Sequence, residues 1–224
     1  MYKIIFFFAA INLLVLIFFS FKGQDSVNTY EILERARVAR DDHFYEKQRA
    51  LLSQVIKDRI QVLGSEHAGL AKLYSRMAHS FLSSNNLESS LKDALENFDK
   101  AEEFVDKAIK IAIKQTDQQE WQLGLYVAQK GNILLEKAVR SSENVPQRAI
   151  MLLEQGLNIL KTRLGVKSPE FQITKTILAR ALKIKGECNR SAELFAGTIN
   201  WFENNLPPHS ERLALQYEGL AKAQ

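Results

Sequence analysis

One short stretch occurs three times in this chain of 224 residues, and that recurrence restricts the fold more than any other feature. Leu63-Gly64-Ser65-Glu66-His67-Ala68-Gly69-Leu70-Ala71 returns as Leu164-Gly165-Val166-Lys167-Ser168-Pro169-Glu170-Phe171. It returns again as Leu206-Pro207-Pro208-His209-Ser210-Glu211-Arg212-Leu213. A small residue follows each copy in register: Ala78, Ala179 and Ala221. The copies begin 101 and 42 residues apart, so a unit of roughly forty to fifty residues repeats. Such a unit is one supersecondary element whose apolar face its neighbours must cover.

Between the copies the apolar residues follow helical periods. The four prolines (Pro146, Pro169, Pro207, Pro208) fall where that pattern breaks, and no alternating β-branched run is long enough for a strand. The chain is therefore expected to be all-α. A first pair spans about 30–44 and 45–63, with a charged outer face running from Glu31 to Asp42. The second pair opens at Gly64; Tyr74, Met77, Ala78 and Phe81 share one helix face there. After a turn at Asn85-Asn86, a helix from Leu87 to about Gln115 presents Ala101, Phe104 or Val105, and Ala108 to one side. The third pair, about 118–140 and 146–164, repeats the seven-residue spacing at Ala149 and Gly156, while its first helix offers either Ala128 or Gly131 for close contact. The fourth starts at Ser168-Pro169, an N-cap with proline in the first helical position, and turns at Gly186 before a helix from Asn189 to Asn205. A last helix begins at Ser210, and its apolar face (Leu213, Leu220, Ala221) is expected to be partly unpaired.

These residues resemble a tetratricopeptide repeat array, and more closely the longer-unit variety of kinesin light chains and many bacterial repeat proteins. Units of that kind are joined by a Leu-Gly-x-x-His-Pro-like linker, which Leu63-Gly64-Ser65-Glu66-His67 matches well and Leu164-Gly165 with Ser168-Pro169 matches in part. The small residues seven apart in the second helix match at Ala101/Ala108 and Ala149/Gly156 and half-match at Ala192 with Ile199. Lys175 stands where the fourth pair would carry an aromatic residue. The resemblance implies a right-handed α-solenoid of four antiparallel helix pairs plus a terminal helix over residues 30–224. It also implies a protein-binding role without catalysis. Two departures count against the family's peptide-binding modes: Ser75-Arg76, Thr176-Ile177 and Glu218-Gly219 replace its paired asparagines, and its Lys, Arg and Asn carboxylate clamp has no counterpart.

Residues 1–23 read as something other than repeat. Ile4 to Phe21 is apolar except for Asn12 and Ser20 and is flanked by Lys3 and Lys22, the layout of a signal peptide or an uncleaved membrane anchor. Export to a periplasm, the cell surface or the medium is the expectation. Without this segment the formal charge falls from +4 to +2, by loss of Lys3 and Lys22. That leaves no basic excess for nucleic acid. The single cysteine, Cys188, cannot form an internal disulfide, so the fold rests on packing.

No catalytic, metal or cofactor motif stands out. Asp41, Asp42 and His43 are consecutive on a helix and point apart, whereas metal ligands must converge. His67 and His209 lie beside linkers, where closing a helix start is the expected role. Asn189-Arg190-Ser191 fits a glycosylation acceptor by pattern alone. In a helix-pair solenoid the first helices line the concave side, and their residues off the packing stripe are free for a partner. These are Lys72, Ser75, Arg76, His79 and Ser83 in the second pair and Thr176, Arg180 and Lys183 in the fourth. Together they give a mildly basic surface, so the expected partner is an acidic peptide or protein segment. The alternative expectation is a sensing or docking part of a larger signalling or protease-type (CHAT-like) protein, and an independent enzyme is a third.

Overall fold

Turn chemistry at the recurring linker sets the helix starts. In this computed structural model, which describes residues 29–85, 90–115, 120–207 and 210–223, Gly64 and Gly165 have φ of 83° and 81°. Three residues after each glycine comes an N-cap. His67 Nδ1 accepts from the Gly69 amide at 3.1 Å, and the Ser168 hydroxyl accepts from Phe171 at 3.2 Å. The third copy has Pro207, which cannot take a positive φ; Leu206 is extended there instead, and Ser210 still caps, accepting from Leu213 at 3.2 Å. The apolar run 4–21, Asn86, the helix starts expected at Leu87 and Gln118, and His209 lie outside the described residues.

Two units are distinguished, divided after Val62. The first holds α1 (29–41) and most of α2 (Tyr45–Leu63), joined through a turn in which His43 has φ 61°. Ile32, Ala36, Ala39, Leu52, Val55 and Ile56 are its buried apolar residues. Its charged face is solvated as expected, with Arg37 bridging Glu34 and Asp41 at 2.6 and 2.8 Å.

The second unit comprises α3 (Ala68–Ser83), α4 (Leu91–Ile113), α5 (Glu120–Ser141), α6 (Gln147–Leu164), α7 (Pro169–Ile184), α8 (Cys188–Asn205) and α9 (Glu211–Ala221). Among the described residues no strand occurs. Each helix packs on the next, and in addition α5 touches α7 and α7 touches α9. First helices of successive pairs therefore lie side by side as a wall, with the second helices behind.

Small side chains let the two layers meet. Ala78, Ala101, Ala108, Ala149 and Ala179 are fully buried. Ala128 and Gly131, which the spacing leaves as alternatives, both serve. A methyl group at Gly156 would lie 2.6 Å from the Gly124 carbonyl oxygen and 2.8 Å from the Ala128 Cβ; one at Gly131 would lie 2.9 Å from the Ala149 carbonyl oxygen. In the fourth pair the expected match is off by one residue. Ala192 and Ile199 are only half-buried, and the buried pair seven apart is Ser191 and Thr198. Their hydroxyls donate to the carbonyls of Ala179 and Phe195, both at 2.8 Å, which removes the penalty of burying them. Ala221, the equivalent of Ala78 and Ala179, is exposed, whereas Leu213 is buried and Leu220 half-buried, so the α9 face is partly covered.

Between α5, α6 and α7 the core is a continuous apolar cluster that includes Leu135, Ile150, Leu153, Leu178 and Leu182. Among the described residues of the second unit one charged side chain is buried. Lys130 of α5 is 7% exposed and donates to both carboxylate oxygens of Asp106 of α4 at 2.7 Å, with Glu102 at 3.4 Å. A buried ammonium so enclosed fixes how α5 lies on α4, and loss of its partners would strand it.

Helix propensity alone makes Gly156→Ala stabilising by about 1 kcal/mol, whereas overpacking against backbone costs about 1–3 kcal/mol. We expect packing to dominate, lowering the melting temperature by roughly 2–8 °C. A rise in thermal denaturation midpoint would place the α5–α6 contact elsewhere.

Candidate functional site

The wall is held together by side chains that reach from one first helix to the next. Ser75 of α3 donates to Gln129 Oε1 of α5 at 2.7 Å, and Gln129 Nε2 donates back to the Ser75 carbonyl at 3.0 Å. Arg180 of α7 pairs with Glu136 of α5. Thr176 of α7 contacts Gln216 Oε1 of α9 at 3.0 Å, where the Thr198 hydroxyl also arrives at 3.1 Å. Gln216 is buried, and a hydroxyl donor beside it satisfies its oxygen.

On α3, Lys72, Arg76 and His79 are exposed, whereas Ser75 and Ser83 are half-buried. His79 Nδ1 and the Ser83 hydroxyl are 2.7 Å apart. Arg76 lies near Tyr126 of α5, a residue that is 4% exposed. Burial pushes the Tyr126 phenol up to about 12, against a smaller downward pull from Arg76.

On α7, Thr176, Arg180 and Lys183 line one groove of about 410 Å³ between α7 and α9. Its floor is apolar, formed by Ile177, Phe195 and Phe202. Gly219 admits the Phe195 ring, which a methyl group there would approach to 2.5 Å. Ile173 and Leu215 lie five residues after their N-caps, at equivalent positions of α7 and α9. They are 39% and 52% exposed and give the groove an apolar rim at that end. Arg180 and Lys183 supply cationic groups further along α7.

Acids temper those cations. Besides Glu136 beside Arg180, Glu218 of α9 lines the same groove. Its carboxyl is held below the usual range, chiefly by a hydrogen bond from Lys222, with Lys183 adding to the pull. The α7 end of the wall is thus nearly balanced in charge. Gln129, Glu136 and Gln216 are the residues that sequence reasoning missed. Each answers a residue on a different repeat, 54, 44 and 40 positions away, and only alignment of equivalent positions across repeats could have pointed to them.

No family model matches the sequence, and no curated protein is similar to it. Solved structures are similar: two of the nearly identical TPR-like repeats of a Podosopora anserina protein assigned as a kinesin light chain, one of them carrying a point substitution. These align at 19% identity over 87% of this chain and 84% of theirs, with TM-scores of 0.61 and 0.62. BtubC (BKLC) from P. vanneervenii aligns at 18% identity over 87% of this chain and 70% of its own, with a TM-score of 0.62. The fold is that of a TPR-like repeat array. At this identity the likeness extends to fold alone.

His67 is an N-cap, the role expected for it. His43 Nδ1 lies 2.9 Å from the Tyr45 hydroxyl, and Asp41 is engaged by Arg37 and Arg40. Ser191 of the glycosylation pattern is fully buried, while Asn189 and Cys188 are at the start of α8, Asn189 exposed and the Cys188 thiol free. Lys175, in place of the aromatic, lies over the notch left by Gly197, where a methyl group would come within 2.4 Å of its Nζ. Burial there lowers the pKa of its amine.

Tyr126 offers a test of how α5 packs. Its folded pKa stands above the ordinary 10.0, so its contribution to stability is fully present below pH 10. That contribution is lost as pH rises toward 12, because the unfolded chain ionises first. The loss amounts to roughly 2–3 kcal/mol. In urea denaturation the stability of wild type relative to Tyr126→Phe should fall as pH rises across this range; a difference that stays constant would contradict the burial of Tyr126.

Proposed function

We propose that this chain is an exported, non-catalytic scaffold that holds an acidic segment of another protein against the wall formed by α3, α5, α7 and α9. The observation that carries the reading is the meeting of Thr176, Arg180 and Lys183 in one apolar-floored groove, on the same wall as the exposed Lys72, Arg76 and His79 of α3. A groove lined by aliphatic and aromatic side chains supplies burial, while a few placed polar groups fix orientation. Ile173 and Leu215 would take the partner's apolar residues. Lys72 and Arg76, both exposed, would meet its carboxylates. Export rests on the apolar run Ile4 to Phe21 between Lys3 and Lys22.

The test uses the α3 cations because they are exposed and their reversal leaves the core untouched. The double substitution Lys72→Glu/Arg76→Glu should weaken capture of the partner from the native envelope fraction by about tenfold or more, equivalent to roughly 1.4 kcal/mol. The melting temperature should stay where it is. Capture undiminished in a folded double variant would overturn the acidic-partner reading.

A further inference from the structure

We infer that Glu136 is an internal stand-in for a partner carboxylate: it holds Arg180 at the groove until an acidic side chain of the bound segment takes its place. This rests on the acidic-partner reading above and adds to it a residue that sets affinity. Arg180 lines the α7–α9 groove, yet its guanidinium is turned to α5, where one nitrogen, Nη2, engages Glu136 Oε1. Its Nε is buried without a hydrogen-bond partner. The pair therefore falls short of the two-pronged geometry that an arginine fork and a carboxylate adopt when nothing competes.

Two comparisons within the molecule separate this pair from a structural one. Lys130, the buried cation of α5, has a side chain 9% exposed and is held by two carboxylates, so it is far less open to solvent and to outside acids. The side chains of Arg180 and Glu136 are 42% and 29% exposed, so their attraction is screened and a carboxylate arriving from solution can replace Glu136. Moreover, the neighbouring ties along the wall are neutral: Ser75 with Gln129 between α3 and α5, and Thr176 with Gln216 between α7 and α9. The tie between α5 and α7 is the charged one of the three. Placing that tie at the groove balances Arg180 while the groove is empty and leaves it available to an acid.

The experiment measures binding of a fluorescein-labelled peptide, an Ile-Leu anchor followed by a run of glutamates, to the full chain by fluorescence anisotropy. Glu136→Gln, which keeps shape and hydrogen-bonding capacity but removes the competing charge, should bind about two- to fivefold tighter than wild type, the range expected for release of an exposed ion pair. The gain should vanish in Arg180→Gln/Glu136→Gln, so that the two substitutions are coupled. Equal affinity of Glu136→Gln and wild type, or a gain that survives loss of Arg180, overturns the role of Glu136 while leaving the acidic-partner reading intact. A peptide that binds neither wild type nor Glu136→Gln overturns both.

Discussion

The close approach of α5 and α6 through residues without bulk is the constraint on which the rest of the second unit depends. Gly124, Ala128 and Gly131 on one helix face Ala149 and Gly156 on the other, so near that an added methyl group meets backbone. Dispersion between packed backbones is weak per atom and large in sum, and it is available only where no side chain intervenes. Because α5 is held this near to α6, its other side is turned toward α4 and α7. Lys130 can then reach Asp106, and Glu136 can reach Arg180. The contacts of α5 along the wall go with that spacing.

Charge along the wall follows from the same geometry. Side-by-side first helices bring the off-stripe residues of one repeat against those of the next, so a cation that looks unopposed on its own helix meets an acid from its neighbour. Arg180 and Lys183 are both in this position, facing Glu136 and Glu218. The α7–α9 end of the wall is therefore apolar and close to balanced in charge.

Much of this architecture could be read from residues alone, and the reasons for success and failure are local. The linker glycines, the caps at His67, Ser168 and Ser210, and the alanines at 101, 108 and 149 each have a one-residue physical cause, and the structure places them as expected. Ser191 and Thr198 are harder to read as core than Ala192 and Ile199, because a hydroxyl is polar. Its burial becomes favourable only once a particular carbonyl lies 2.8 Å away. The choice between Ala128 and Gly131 had no answer in periodicity because α5 uses both. Of the candidate binding residues, Thr176, Arg180 and Lys183 come together in one groove, but the partners of Ser75, Thr176 and Arg180 are invisible in a sequence read helix by helix.

The central claim is that first helices of successive pairs stand side by side, so that Thr176 of α7 meets Gln216 of α9. Its most direct test is a short bismaleimide cross-link between Ile173→Cys of α7 and Leu215→Cys of α9, both exposed at the same groove, in a Cys188→Ser background. The account predicts efficient bridging within one chain in the native protein, lost in denaturant. Bridging only between separate chains, or none in the native state, would contradict it.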